Sequence, residues 1–189
     1  RTLILLSYHI SHSHSIRALG MITEQTFFSS TRTELGYMRA LCSLDGLFRL
    51  VWQQHAFNMP DEVESTVSRE TIKQLSHYLS GKLKYFNVPL DLSAQSKALQ
   101  RWLEVMVEIP YGQIITYADY AELWGNRRAA RAAGNACRRN CLPIIIPCHR
   151  VVQNNGQFDN YTGGDAASPK EPANIARKYW LLELEKRNS

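Results

Sequence analysis

The ten residues Pro143-Ile144-Ile145-Ile146-Pro147-Cys148-His149-Arg150-Val151-Val152 constrain this chain more than any other stretch. Three consecutive isoleucines must be withdrawn from water, and they lead straight to a cysteine held between a proline and a histidine. Pro147 fixes its backbone and brings no N–H to a ladder. The run therefore predicts a buried strand that delivers a thiol. A nucleophilic cysteine needs a nearby base or cation to raise its thiolate fraction. His149 is such a group, although adjacent side chains often diverge, so a bridging water is the expected link. From the residues alone Cys148 has three open roles: nucleophile, inert buried thiol, or zinc ligand with Cys137, Cys141 and His149. The cysteine spacing, three intervening residues and then six, is not a usual zinc-knuckle pattern.

Just upstream, Thr116 can cap a short helix over 117–124, with Asp119 in the capping-box position. Gly125 supplies a left-handed turn residue. Asn126 can cap a second helix, expected from about Arg127 to Arg139. Two helices joined by a Gly-containing turn outline a helix-turn-helix. The second helix carries Arg127, Arg128, Arg131, Arg138 and Arg139 among Ala129, Ala130, Ala132, Ala133, Gly134 and Ala136. Small residues permit close approach to a large partner, and arginines reach phosphates. A solvated arginine face over an alanine-packed core fits the spacing equally well. Charge enters the argument here. The chain is +5 overall, while residues 126–150 hold six arginines and no acidic residue, so the rest of the chain is close to neutral. That places the basic excess on one helix, hinge and strand that would meet an anionic partner.

The remainder is ordinary globular text, 44% hydrophobic and 21% charged over 189 residues, which excludes collagen-like and coiled-coil chains. Four cysteines in a chain of this length do not make a disulfide scaffold. Residues 1–19 are expected to be a disordered or non-native arm, and Leu3 to Leu6 is too short an apolar run for a signal peptide or membrane span. Residues 20–54 are strand-like, with Asp45-Gly46 as a hairpin turn. A helix is expected over 68–79, with Ile72, Leu75 and Leu79 on one face and Gly81 as its cap. Another is expected from about Leu99, where Trp102, Leu103, Met106 and Val107 continue an apolar stripe that Pro110 stops. The loop over 82–93 separates two units, 20–93 and 94–189.

The run from Ile114 to Gly164 resembles the O6-alkylguanine-DNA alkyltransferase family. The matching residues are Thr116-Tyr117, Ala129-Ala130-Arg131-Ala132 with Gly134, Asn140, Ile146-Pro147-Cys148-His149-Arg150-Val151, Gly156, Tyr161 and Gly163-Gly164. Lys178, Trp180-Leu181-Leu182 and Glu185 extend the match to about 186. The resemblance implies an α+β fold. A small N-terminal domain holds an antiparallel sheet and helix, and a mainly helical C-terminal domain holds the helix-turn-helix and an active-site strand and loop. It implies repair of duplex DNA bearing O6-alkylguanine by irreversible transfer of the alkyl group to Cys148, one transfer per molecule. It further implies no cofactor, no membrane, a monomer, and a place in the cytoplasm, nucleoid or nucleus; no metal is expected. His149 would accept the thiol proton through water and Glu185 would orient it. Asn140 would brace the turn. Tyr117 would crowd the 3′ phosphate and protonate guanine N3. Arg131 would fill the gap left by the extruded base, with Arg127, Arg128, Ala129, Ala130, Ala132, Gly134 and Asn135 on the DNA face. Pro143, Cys137, Val151, Tyr161, Thr162 and Gly163 would line the pocket.

The sequence departs from the family at Asn140-Cys141, where Asn-Pro is usual. The expectation is a looser hinge and a second thiol near the pocket. The stretch 165–177, with Pro169 and Pro172, is longer than usual and predicts a surface insertion. Two rivals remain. One is a non-catalytic lesion-binding protein of the same fold, disfavoured because Cys148 is present. The other is a helix-turn-helix regulator sensing zinc or thiol oxidation, which leaves Tyr117, Tyr161 and Glu185 without a role.

Overall fold

The computed structural model describes residues 26–57, 63–157, 160–163 and 168–189. The expected arm over 1–19, the start of the strand-like region at Gly20 and the first three residues of the insertion, 165–167, lie outside them; from Pro172 the expected insertion is instead the start of the last helix. Three antiparallel strands, β1 (Phe27–Thr33), β2 (Gly36–Cys42) and β3 (Leu47–Gln53), form a sheet in the order β1-β2-β3. β1 and β2 pair in register from Phe27 opposite Cys42 to Thr33 opposite Gly36. The turn at Asp45-Gly46 joins β2 to β3, as the sequence predicts. Gly46 has φ +156°, and a Cβ there would lie 2.6 Å from the Pro89 carbonyl oxygen. That close approach lets Leu47 pair on both sides with the 89–91 segment, through Leu47 N–H to Pro89 O at 2.8 Å and Asp91 N–H to Leu47 O at 2.9 Å.

Helix α1 (Thr66–Leu79) starts two residues earlier than the sequence suggests, because Ser65 caps it in a capping box with Ser68. It ends in a Schellman arrangement: Lys82 N–H donates to His77 O at 2.8 Å, Gly81 N–H to Tyr78 O at 2.9 Å, and Gly81 takes φ +74°. Helix α2 (Lys97–Val107) is capped by Ser96 and buries Leu99, Trp102, Leu103 and Met106. Val107, expected on that stripe, is the last helical residue and is 44% exposed. Strand β4 (Ile115–Thr116) leads into α3 (Tyr117–Trp124), where Thr116 and Asp119 form the capping box. Gly125, at φ +115°, turns the chain.

Two expectations need correction. Asn126 caps not one long helix but a 3-10 turn over Arg127–Ala129, and the regular helix α4 is Ala130–Arg138. The buried strand expected through Ile144–Ile146 is instead a compact turn. Its Ile146 N–H returns to Leu142 O at 2.8 Å, and Ile144 is held at φ +74°. Pro143 and Pro147 remove two ladder donors, so the isoleucines are buried by a turn rather than by a sheet. Only Val151–Val152 (β5) is extended, pairing parallel with β4 as Ile115 opposite Val151 and Thr116 opposite Val152. Helix α5 (Pro172–Arg187), with a proline in its first turn, packs on the active-site turn and closes the chain. No helix of the described residues is long and apolar enough to cross a membrane.

Candidate active site

The site is assembled from one carboxamide outward. Asn140, buried just past the end of α4, accepts Leu142 N–H on Oδ1 at 2.9 Å. Its Nδ2 donates to Ile146 O at 2.7 Å and to Cys148 Sγ at 3.1 Å. A single side chain thus holds the turn closed at both ends and terminates on the thiol. Cys148–Arg150 form one 3-10 turn, stapled by Cys148 N–H to Ile146 O and Arg150 N–H to Pro147 O, each 2.9 Å. All three side chains are buried.

His149 places Nε2 2.7 Å from Glu185 Oε1, while its Nδ1 is buried with no hydrogen-bond partner among the described residues. The network assigns the proton to Nε2, facing the carboxylate, and leaves the Nδ1 lone pair free. Glu185 is surrounded by donors. Arg150 reaches it through Nε at 3.0 and 3.1 Å and through NH2 at 2.9 Å, and Gly112 N–H donates to Oε2 at 2.9 Å. The Tyr78 hydroxyl donates to Oε1 as well. Arg150 NH1 is taken by Ile109 O at 2.5 Å.

The electrostatics follow from these contacts. Burial pushes the Cys148 thiol above its ordinary value, and the Asn140 hydrogen bond and the Lys178 charge only partly oppose it. Burial lowers His149, with Glu185 working in the other direction. For Glu185 burial acts to raise the carboxyl, but the His149 and Arg150 hydrogen bonds outweigh it and hold it well below the carboxylate range. The resting site is therefore a protonated thiol beside a neutral imidazole anchored by an ionised carboxylate. Such a thiol is unreactive until a base removes its proton.

The other expected site residues divide by location. Tyr117 opens α3 and is half-buried, 3.9 Å from where a Cβ on Gly134 would stand. Arg128, Arg131, Ala132 and Asn135 are exposed, and Ala129, Ala130 and Gly134 are half-buried. Cys137, Pro143, Val151, Tyr161 and Gly163 are buried and Thr162 is half-buried. Gly163 takes φ +56°, where a Cβ would meet the Tyr161 ring at 2.8 Å. Gly164 lies outside the described residues.

Two arginines of the basic window already have acidic partners within the protein. Arg127 binds Asp119 Oδ1 at 2.7 Å and Glu122 Oε2 at 2.5 Å, so acidic residues of α3 already neutralise it. Arg150 is 6% exposed and serves as the counter-ion of Glu185. The other exposed arginines of the window are 128, 131, 138 and 139. The Cys141 carbonyl faces the first unit and accepts Leu50 N–H at 2.9 Å, while its sulfur accepts from Gln95 Nε2 of its own unit at 3.8 Å. Among the described residues no three His, Cys, Asp or Glu side chains form a metal-holding group.

Sequence reading missed Tyr78, the structural role of Arg150 and the Lys178 ammonium, which donates to Val151 O at 2.7 Å. Tyr78 lies three residues after Leu75 on the buried face of α1, so its spacing marks it only as core. Arg150 did carry a signal, because a guanidinium inside a buried run requires a carboxylate partner.

Family models match both units. Residues 26–92 match the 6-O-methylguanine DNA methyltransferase, ribonuclease-like domain, and residues 97–187 match the DNA binding domain of the same family. The methylated-DNA–protein-cysteine methyltransferase of Mycobacterium leprae is 40% identical over 123 residues, covering 65% of this chain and 68% of the relative. The constitutive one of Bacillus subtilis is 32% identical over 158 residues, covering 80% and 95%. The crystal structure of Mycobacterium tuberculosis O6-methylguanine methyltransferase superposes with a TM-score of 0.71 at 30% identity, covering 87% of this chain and 95% of that one. A structure of the same protein in complex with DNA gives 0.69 at 28% identity, covering 86% and 94%.

Proposed function

The chain belongs to the 6-O-methylguanine DNA methyltransferase family, and from that premise we propose that Cys148 is the methyl acceptor and that Asn140, His149 and Glu185 prepare it. The activity is that of a methylated-DNA–protein-cysteine methyltransferase, which repairs O6-methylguanine in DNA. The observation that carries the residue assignment is the pair of side-chain contacts Asn140–Cys148 and His149–Glu185, set on adjacent residues of one buried turn.

Cys148 Sγ attacks the methyl carbon from the side opposite O6. The S–C bond forms as the C–O6 bond breaks. The thiol proton passes through water to His149 Nδ1, the imidazole nitrogen not engaged by Glu185. Glu185 keeps its charge and stabilises the imidazolium that forms, while Arg150 keeps Glu185 ionised. The departing guanine takes a proton at N3 from the Tyr117 hydroxyl, which is then restored from the site, so the thiol proton finishes on the base. A thioether has no ready hydrolytic exit, and each molecule acts once. No step draws on a cofactor.

DNA docks on the exposed side of α4 and of the 3-10 turn before it, where Ala132 and the half-buried Ala129, Ala130 and Gly134 allow close approach. Arg128 meets phosphate, and Asn135 lines the same face. Arg131 enters the space the guanine vacates. Rotating the base out costs about a few kcal/mol, less for a lesion that pairs badly. Pro143, Val151, Tyr161, Thr162 and Gly163 wall the pocket, with Cys137 behind them. The units meet at 93–94, a boundary supported by the break between the two family matches. One chain carries every group named, so the working form is a monomer.

Incubation with a duplex containing O6-methylguanine, followed by intact mass and peptide mapping, tests the assignment. One methyl on Cys148, absent in Cys148→Ala, is expected. A methyl on Cys137 or Cys141, or tight lesion binding without transfer, would overturn it. Arg131→Ala should slow transfer from duplex much more than from the free base; equal slowing on both would remove its wedge role.

A further inference from the structure

Tyr78 belongs to the first unit, yet its hydroxyl reaches the centre of the site in the second. It donates to Glu185 Oε1, the same oxygen that His149 contacts, and lies 3.3 Å from His149 Nε2. We propose that Tyr78 is a positioning residue for alkyl transfer, through which the first unit fixes the tautomer and basicity of the proton acceptor. This rests on the reading of Cys148 as acceptor and His149 as its base.

The geometry allows one consistent placement of protons. The carboxylate only accepts, so the tyrosine proton points at Oε1. The hydroxyl oxygen then presents a lone pair to Nε2, which favours the tautomer protonated there. Nδ1 is thereby kept as the free base. The ring is held for this purpose: Tyr78 is fully buried, with Phe86 at 5.1 Å and Tyr111 edge-on at 5.9 Å between centroids. Burial and the Glu185 charge raise the phenol well above its ordinary value, so it stays a donor at every working pH.

The effect on His149 has a definite sign, because the lone-pair contact to Nε2 is long at 3.3 Å and the Nε2 proton is already taken by Glu185 Oε1 at 2.7 Å, so the donation to Oε1 dominates. A donor on Oε1 withdraws negative charge from the oxygen that stabilises the imidazolium, and so lowers the basicity of His149. The other charged groups facing the imidazole are Glu185 itself and Lys178 from α5, and Arg150 in its own turn. Tyr111 stands behind Tyr78 and under the Arg150 guanidinium. None of these is altered by removing one oxygen from Tyr78. Loss of the hydroxyl should therefore make His149 more basic and move the acid limb of the reaction upward.

The test is the pH dependence of single-turnover transfer by Tyr78→Phe, using the full chain and O6-methylguanine duplex. The acid limb should rise by about one pH unit, a tenfold lower rate on the acid side with little change at alkaline pH. Nitrogen-15 NMR of the unreacted protein should show the His149 titration rising by the same amount. A ring-fluorinated tyrosine at position 78 keeps the hydroxyl as a stronger donor and should move the limb the other way. Superimposable profiles, or a uniform rate loss without a shift, would overturn the proposal and leave Tyr78 a packing residue. If methylation is found away from Cys148, the function reading fails instead, and the mass map distinguishes the two outcomes.

Discussion

Glu185 is the residue on which the site turns, because it is a buried charge that four other groups define. Replacing it with glutamine retains a side chain of the same shape but leaves the buried Arg150 guanidinium without a counter-charge. Breaking such a pair costs about 3–5 kcal/mol. Denaturant titration of Glu185→Gln should show that loss, together with transfer slowed well beyond the change in folded fraction. Acid titration has a sign that can be worked out. His149 and Glu185 both have folded-state values below their ordinary ones. Each contributes stability that is present above its ordinary pKa and is lost as pH falls through the folded value. Cys148 is displaced upward, so its contribution is lost only as pH rises through its raised value. Stability should thus be level across neutral pH and fall on acidification. The acid limb of wild-type transfer should lie below the ordinary histidine range of about 6.5. A limb at or above that value, read by single-turnover rates, would mean that His149 is not the base.

At the level of elements, the sequence displayed its local signals and concealed its long-range ones. Thr116, Asp119 and Gly125 encode a capped helix and a left-handed turn within ten residues, and the structure has both. Asp45-Gly46 likewise marks the hairpin. The 143–147 turn was illegible because three isoleucines suggest a strand, while the competing bonds come from the Asn140 carboxamide and from two missing proline donors. The fate of Arg127 was hidden for a related reason. Its partners Asp119 and Glu122 belong to the preceding helix, and only the turn at Gly125 brings them within 2.7 and 2.5 Å. Counting arginines from 127 to 139 therefore overstates the charge offered to DNA. Each phosphate neutralised contributes about 0.9 to the slope of log K against log salt. With exposed Arg128, Arg131, Arg138 and Arg139 the slope should be no steeper than about −4. Arg128→Ala should lower its magnitude by about one, whereas Arg127→Ala should leave it nearly unchanged. Anisotropy titrations on an undamaged duplex at several salt concentrations check both; an equal loss in the two variants would show that Arg127 leaves its acidic partners when DNA arrives.

For the whole molecule the question is why a chemistry carried by residues 116–185 comes with a separate sheet and helix. The contacts that cross the boundary answer it. Leu50 N–H on β3 donates to Cys141 O at 2.9 Å, so the sheet edge supports the hinge where the family's usual proline is absent. Tyr78, from α1, crosses the same boundary to reach Glu185. The apolar core is likewise continuous, running from Met38, Leu50 and Leu75 through Trp102 and Tyr120 to Ile146, Cys148 and Leu181. A core shared in this way should open as one cooperative unit. Amide hydrogen exchange puts this to the test. The slowest amides of β2, over Met38 to Ala40, and of α4, over Ala133 to Ala136, should exchange with the same opening free energy. Leu75→Ala removes a fully buried side chain from α1 and should cost about 2–5 kcal/mol. That loss should appear equally in both sets of amides, although Leu75 lies on a helix of the other unit from α4. Weakened protection confined to β2, with α4 unchanged, would mean that the two units unfold separately and that the first one supports the active site only by proximity.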